Sequence, residues 1–148
     1  MITDKAEQIK RAHHLAALQV PFMHQGKTLD GIDCVGGLCY ILDYSEEVKP
    51  YPRDPVNGEM EVELERIFGP PVLEVSRAAP LRDQELLQAC DIVSMQYAGP
   101  IRHVGFLVPH LTLPGVLSLV HTDNAVKRTT EHILDAKWLR RIVKVWRL

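Results

Sequence analysis

A chain of 148 residues is long enough to close one hydrophobic core and too short for two ordinary domains. Its hydrophobic share of 46% and charged share of 24% are typical of globular proteins and exclude the disordered, collagen-like and membrane-spanning classes. Seventeen basic and nineteen acidic side chains give a net charge of −2, so no overall positive field argues for a nucleic-acid partner. We therefore expect one domain that spans residues 1–148.

The beginning of the sequence lacks the basic and then apolar segment of a secretory signal, and no apolar run approaches the roughly 20 residues that a membrane helix needs. We therefore expect synthesis in the cytoplasm without a signal peptide, and no membrane insertion. Cys34, Cys39 and Cys90 are few and odd in number. This cysteine content fits free thiols in a reducing compartment better than a disulfide framework.

The first half of the sequence has the spacing of helices. Thr3 or Asp4 can cap a first helix, which must end before Pro21, and a polar loop follows over 23–33. Apolar residues then recur at helical spacing over 35–42 and predict a second helix.

Cys34 thus lies at the start of the predicted second helix. Proline and glycine mark a surface loop over 49–58, and a short third helix is predicted over 60–68.

The second half changes to short runs rich in β-branched and aromatic residues, separated by proline and glycine. Helices followed by strands form the α+β pattern rather than repeated βαβ units. We therefore predict an α+β fold in which N-terminal helices pack on a central antiparallel sheet. The predicted strands are 72–75, 91–97, 102–108, 116–121, 126–129 and 142–146, with a short helix over 131–141.

Cys34 is the first candidate for chemistry. A cysteine at a helix N-terminus faces unpaired backbone N–H groups and the positive end of the helix dipole, and both favour the thiolate. Gly36 and Gly37 are poor helix formers, which is typical of a place where another backbone or a ligand approaches closely. The alternative is that Cys34 is a buried, small apolar residue that only fills space.

A nucleophilic thiol needs a base, and histidine is the natural candidate. Among the seven histidines, His103 opens the apolar run 104–108 and His121 closes the next predicted strand. If these strands form a hairpin, the start of one lies beside the end of the other, and the two rings become cross-strand neighbours. Folding would then join Cys34, His103 and His121. The alternative is that each histidine lies at a strand end on the surface and has no catalytic role.

No metal site or cofactor is predicted. The histidines and cysteines lack the spacings typical of a zinc site, and no glycine-rich nucleotide or phosphate motif occurs. Cys34 and Cys39 diverge around the predicted helix and cannot form a redox pair. Ser94 and Ser118 lack the strand-turn-helix motif of a serine hydrolase.

The order of the candidate residues resembles that of a known family. The string Gly31-Ile32-Asp33-Cys34 resembles the nucleophile motif of the NlpC-type cysteine peptidases, a papain-like family that cuts the peptide stems of the cell wall. His103 follows Cys34 after 69 residues and opens the string His-Val-Gly-Phe, and His121 follows 18 residues later. Further similar segments are Val20-Pro21-Phe22, Cys90-Asp91-Ile92-Val93 and Leu119-Val120-His121-Thr122, and the ending with Val126, Trp138 and Trp146-Arg147 is most similar to the small phage-tail and gene-transfer-agent branch.

The resemblance implies a papain-like fold and a hydrolase that needs no cofactor. By similarity, Cys34 is the nucleophile, His103 the general base and His121 the residue that orients it. Asp33 would help to bind the free amino end of a stem peptide. Phe22 occupies the position where the family usually has a tyrosine whose hydroxyl lies near the substrate. The hydrogen bond that this hydroxyl would make is therefore absent.

The substrate implied by the resemblance is peptidoglycan, and the bond is the amide between D-glutamate and a diamino acid. The expected partners are peptidoglycan peptides and phage-tail structural proteins, with action at the cell wall from a virion tail. Two other functions stay open. One is a tail-assembly component that keeps the fold with little or no activity, and the other is an amidase toxin with an immunity partner.

Overall fold

The computed structural model describes residues 1–56, 58–96 and 102–148, so Tyr97, the predicted end of one strand, lies outside the described residues. Within these ranges helices and strands are arranged as the predicted α+β class. The helices are α1 (Lys5–Ala17), α2 (Cys34–Leu42), α3 (Glu59–Phe68) and α4 (Ala136–Leu139). The strands are β1 (Lys27–Thr28), β2 (Gly31–Ile32), β3 (Leu73–Glu74), β4 (Ile92–Gln96), β5 (Arg102–Pro109), β6 (Leu117–Asp123), β7 (Arg128–Ile133) and β8 (Ile142–Trp146).

Six of these strands form one sheet in the order β3-β8-β4-β5-β6-β7, and every pair of neighbours is antiparallel. The strands β4 to β7 form a meander, whereas β8 inserts between β3 and β4. The prediction of a meandering antiparallel sheet is confirmed. The predicted loop over 23–33 contains the hairpin β1-β2, whose strands of two residues are too short to show an alternating pattern.

Two predictions near the end of the chain are wrong. The predicted strand 126–129 starts later and continues to Ile133, and the predicted helix 131–141 is reduced to the four residues of α4. Strand β7 pairs with β6 from Asp123–Arg128 to Ser118–Ile133, and this ladder outweighs the local helical preference. Asp135 then caps α4 by accepting a hydrogen bond of 3.1 Å from the amide of Trp138.

The helices α1, α2 and α3 cover one face of the sheet. Asp4 caps α1 by accepting from the amide of Ala6, and Asp33 caps α2 by accepting from the amide of Gly36. Asp43 ends α2 in the left-handed conformation. The apolar side chains that fill this layer include Leu15, Ile32, Leu38, Leu42, Leu64, Ile92, Val104, Phe106, Val108 and Val120.

The other face of the sheet is covered by α4 and by the connections around it. Leu107 and Leu119 contribute to this second layer from the sheet, and Trp138 and Leu139 contribute from α4. Because both faces are covered, β5 is buried throughout residues 104–108 and reads as a continuous apolar run rather than an alternating one. No helix among the residues that the structure describes is long and apolar enough to cross a membrane.

Candidate active site

A cleft of about 230 Å³ opens at the N-terminus of α2. Four of the five residues singled out from the sequence line it, and the fifth, His121, lies behind His103. The four that line the cleft are Phe22, Asp33, Cys34 and His103. The fold therefore brings together residues that are up to 99 positions apart in the sequence.

Cys34 is the first residue of α2 and is partly exposed. Burial and then the negative charge of Asp33 raise the pKa of its thiol above the ordinary value of 9.0. The backbone amides of Val104, Val35 and Cys34 itself lower that pKa, but by less. The predicted activation by the helix N-terminus is therefore outweighed in the free protein, and Cys34 carries a neutral thiol.

The two predicted histidines are cross-strand neighbours, as expected from the hairpin. Nε2 of His103 lies 2.6 Å from Nδ1 of His121, and the ring centroids are 4.9 Å apart. Phe106 pairs with Val120, so continuing this register places His121 opposite residue 105. The histidines are thus diagonal neighbours on one face of the sheet, within reach of each other's rings.

Strands β5 and β6 separate at this end of the sheet. Their ladder runs from Pro109–Leu117 only to Phe106–Val120, although β6 continues its pairing with β7 as far as Asp123. The opening between the two strands faces the start of α2. This separation explains how the amide of Val104 acts on the thiol of Cys34 instead of being enclosed in the sheet.

Both histidines are neutral at pH 7. Burial and, to a smaller extent, the positive charge of Arg141 lower the pKa of His103 from 6.5 to about 3. Burial also lowers the pKa of His121 well below its ordinary value, and His103 and His132 lower it further. The free protein therefore contains a neutral thiol beside neutral imidazoles rather than a thiolate–imidazolium ion pair.

We expect acid to destabilise the protein through His103. Its pKa of about 3 lies below the 6.5 of the unfolded chain, so the unfolded state binds this proton more readily. The contribution of neutral His103 to the free energy of unfolding is complete above about pH 6.5 and is lost as the pH falls toward 3. At about 1.4 kcal/mol per pKa unit, His103 alone lowers the free energy of unfolding by about 2 kcal/mol between about pH 7.5 and pH 5. Equilibrium urea unfolding measures this difference.

The control for this prediction is His103→Gln, which removes the titrating ring. The variant should lose less stability than the wild type over the same pH interval, whatever its stability at pH 7.5. An equal loss in both proteins would show that the buried imidazole is not the source of the acid sensitivity.

Asp33 has a structural role that the sequence did not reveal. The residue is 2% exposed, and Oδ1 accepts from the amide of Gly36 at 2.8 Å. Oδ2 accepts from the amide of Gln25 at 2.7 Å and from the hydroxyl of Tyr51 at 2.5 Å. Asp33 thus holds the β1-β2 hairpin and the segment around Tyr51 against the start of α2. Its contact with a substrate amino group stays a prediction.

Tyr51 is a site residue that the sequence analysis missed. It lies in the segment predicted as a surface loop, yet it lines the cleft and donates to Asp33. Burial and the charge of Asp33 raise the pKa of its hydroxyl, so the phenol stays protonated. Phe22 lacks a hydroxyl, and Tyr51 places one in the same cleft from a different part of the chain. No local pattern connects residue 51 with residue 33.

Two further cleft residues are cationic. The guanidinium of Arg53 lies over the ring of Phe22, 5.5 Å from its centroid, and donates to Asn124 at 3.0 Å. Arg102 lines the cleft from the start of β5, with its Nε 2.8 Å from a carboxylate oxygen of Glu61. The cleft lining thus carries these two cations together with the carboxylates of Asp33 and Asp54.

The three cysteines are free thiols. Cys39 and Cys90 are buried, and burial raises the pKa of Cys39 to about 11. Within 1–56, 58–96 and 102–148, no group of three or more histidine, cysteine, aspartate and glutamate residues is arranged to hold a metal ion.

No family model matches this sequence. A comparison with curated proteins also gives no significant match. The resemblance to the NlpC-type peptidases therefore stays a prediction from the residues themselves.

Proposed function

We propose that this protein is a cysteine peptidase with a papain-like fold that hydrolyses amide bonds in the stem peptides of peptidoglycan. The observation that carries the proposal is the hydrogen bond between His103 and His121 directly behind a cleft that Cys34 also lines. A nucleophile, a base and a group that orients the base are the parts that acyl transfer to a thiol requires. Tail-associated location and tail partners rest on the sequence resemblance alone and stay predictions.

The first chemical step follows from the neutral state of the site. Nε2 of His103 is engaged by His121, which orients the ring. In the proposed step, the His103 ring takes the proton of Cys34 as the sulfur attacks the amide carbonyl, and the resulting imidazolium then protonates the leaving amine. His121 holds the plane of the His103 ring during both transfers.

The start of α2 also supplies donors for the developing oxyanion. The backbone amides of Cys34 and Val35 lie at the sulfur and at the positive end of the helix dipole. Loss of one such donor in an acyl-transfer site costs about 3 kcal/mol of activation free energy. Water then hydrolyses the thioester with His103 as the base, which returns the thiol to its neutral state.

The charges of the cleft suit a peptide that carries both amino and carboxylate groups. Arg53 can hold a carboxylate with its two parallel N–H groups, and its position over Phe22 keeps the guanidinium at the rim of the cleft. The D-glutamate of a stem peptide carries such a carboxylate beside the amide that leads to the diamino acid. We propose this amide as the bond that is cut.

Mass spectrometry of purified muropeptides after incubation with the protein tests this function. Cleavage at the proposed bond gives one product that ends in D-glutamate and one that begins with the diamino acid. Heat-denatured protein serves as the blank. Intact muropeptides after long incubation with folded protein would exclude the peptidase, and cleavage at another amide would keep the peptidase but correct the bond.

A second candidate function is a papain-like structural component of a phage tail with little or no activity. The observation that favours it is the raised pKa of Cys34, because active cysteine nucleophiles usually have a lowered one. Iodoacetamide distinguishes the two. A site that only binds leaves Cys34 no more reactive near pH 7.5 than a free cysteine, with or without a stem peptide. A catalytic site, in which His103 takes the thiol proton during attack, reacts faster than a free cysteine, and a bound stem peptide slows the reaction by covering the sulfur.

A further inference from the structure

Four arginines lie together on the side of the sheet that α4 covers. They line two adjoining concavities, of about 310 Å³ and about 20 Å³, which share Pro80 and Arg140. Arg82 lines the larger concavity, and Arg77 and Arg141 line the smaller one. Together these side chains form the arginine patch: Arg77, Arg82, Arg140 and Arg141.

The sheet fixes the backbone on both sides of the patch. The carbonyl oxygen of Arg141 accepts from the amide of Gln96 in β4 at 2.7 Å. The amide of Val75 donates to the carbonyl oxygen of Val143 in β8 at 2.8 Å, which ties the segment before Arg77 to the same sheet. The arginines are therefore carried side by side before any ligand binds.

The positive charge of the patch is not balanced by ion pairs. Among the residues that the structure describes, the guanidinium groups of Arg77, Arg82 and Arg140 form no ion pair and no hydrogen bond. Lys144 and Arg147, two other cations near the end of the chain, each lie within 2.8 Å of a carboxylate oxygen. Neighbouring cations without such partners raise the local positive potential and attract anions.

The carboxylates that are close in sequence make their contacts elsewhere. Glu74 lies 3.6 Å from Lys144, and Asp135 caps α4. The side chain of Asp83 accepts from the amide of Glu85 at 2.9 Å. None of these carboxylates forms an ion pair with the arginine patch, so the patch is open to an anionic partner.

We propose that the arginine patch binds a phosphodiester polyanion, a linear polymer whose successive phosphates contact separate guanidinium groups. A guanidinium offers two parallel N–H groups to two oxygens of one phosphate, which the compact ammonium of lysine cannot do. The four arginines are spread along two concavities instead of converging on one point. A chain of repeated phosphates therefore fits this arrangement better than a single small anion.

The surroundings of the patch favour a polymer without bases over nucleic acid or a membrane. Single-stranded nucleic acids bind with their bases stacked on aromatic side chains, and no aromatic residue lines either concavity. Trp138, over which Arg141 lies, is only 8% exposed. Binding in the plane of a membrane uses a helix with a broad apolar face, whereas α4 has four residues.

The patch and the cleft are separate surfaces. None of the four arginines lines the cleft that contains Cys34. A polymer on the patch therefore leaves the cleft open to a peptide. On a cell wall that carries phosphodiester polymers, this second contact would raise the effective concentration of the protein at its substrate. That consequence rests on the proposed function, whereas the binding itself does not.

Fluorescence anisotropy with labelled poly(glycerol phosphate) tests the binding directly. We expect the Kd to rise by at least about tenfold between about 50 mM and about 200 mM sodium chloride, because neutralised phosphates release their counterions. Absence of binding at the lower salt concentration would overturn the proposal. Binding that does not respond to salt would overturn it as well.

The double variant Arg77→Gln/Arg140→Gln locates the site on the protein. At low salt we expect its Kd for poly(glycerol phosphate) to be at least about tenfold higher than that of the wild type. Lys10→Gln/Arg128→Gln is the matched control, because it removes two exposed positive charges outside the patch and the cleft. It should keep the wild-type Kd within about twofold. Equal losses in the two folded double variants would mean that only net charge matters, and would overturn the proposal.

Other anions test the chemistry of the partner. Poly-L-glutamate carries repeated carboxylates, and we expect it to bind more weakly than poly(glycerol phosphate) at equal charge. Equal binding of the two polymers would contradict a phosphate site. Tighter binding of oligothymidylate, or of phosphatidylglycerol vesicles, would assign the patch to nucleic acid or to a membrane surface and would overturn the proposal.

Muropeptides without an attached polymer separate this proposal from the peptidase. Arg77→Gln/Arg140→Gln should cut them at the wild-type rate, because neither residue lines the cleft. Polymer binding by a protein that cuts no muropeptide would contradict the proposed function and support the binding site. Hydrolysis by a protein that binds no polymer would do the reverse.

Discussion

We expect Cys34→Ala to lower the rate of muropeptide hydrolysis by at least about 10³-fold, because it removes the atom that forms the acyl intermediate. Alanine keeps the start of α2, where Asp33 still caps the helix through the amide of Gly36. The side chain of Cys34 is partly exposed at the cleft, so its truncation leaves no large cavity. Circular dichroism and thermal unfolding should therefore match the wild type while product formation disappears.

Cys39→Ala is the matched control for this experiment. Cys39 is a second free thiol on the same helix, five residues further on, and its side chain is buried in the apolar layer rather than at the cleft. We expect Cys39→Ala to keep wild-type kcat with a small loss of stability. Full hydrolysis by Cys34→Ala would exclude a thiol nucleophile at residue 34, and equal losses in both variants would indicate a general effect of truncating the helix.

The second large effect is expected for Gly36→Ala, on stability rather than on chemistry. A Cβ at residue 36 would lie 1.9 Å from the carbonyl oxygen of Gly26 and 3.1 Å from a side-chain carbon of Ile32. The same carbonyl oxygen accepts a hydrogen bond from the amide of Asp33. The hairpin segment must therefore move for the methyl group to fit. We expect a loss of about 3 kcal/mol in the free energy of unfolding, at the upper end of the cost of overpacking.

Gly37→Ala separates this steric clash from a general effect of alanine in the first turns of α2. A Cβ at residue 37 meets Thr122 Oγ1 at 3.4 Å and a methyl group of Leu15 at 3.7 Å, which are ordinary contacts. Alanine also favours the helix over glycine by about 1 kcal/mol, so Gly37→Ala should equal or exceed the wild type in stability. Urea unfolding measures the free energy of unfolding of both variants. Similar values for the two would mean that the hairpin backbone does not clash with a Cβ at residue 36.

The sequence predicted the elements whose pattern is local. The start of α2 at Cys34 followed from apolar spacing over 35–42, and the meander followed from apolar runs separated by glycine and proline. The contact of His103 with His121 was also predictable, because a hairpin brings the start of one strand beside the end of the next. These inferences needed only periodicity and chain order.

The parts that the sequence did not predict depend on contacts between distant segments. His132 was placed in a predicted helix, where its ring has no fixed relation to β6, and only the ladder of β6 and β7 brings it to His121. Tyr51 lies in a loop rich in proline, and only the packing of that loop on α2 joins it to Asp33. The neutral state of Cys34 is likewise a result of burial in the folded chain, which outweighs a helix effect visible in the sequence.

The position of β8 has a consequence for the order in which the protein matures. This strand is the last to leave the ribosome among the eight described, yet it lies inside the sheet between β3 and β4, and Arg147 just beyond it pairs with the fully buried Asp91. Until it is in place, β4 exposes an unpaired edge beside the strand that carries His103. We therefore expect nascent chains to acquire a complete cleft only after synthesis has passed this strand, so that the proposed activity is withheld during translation.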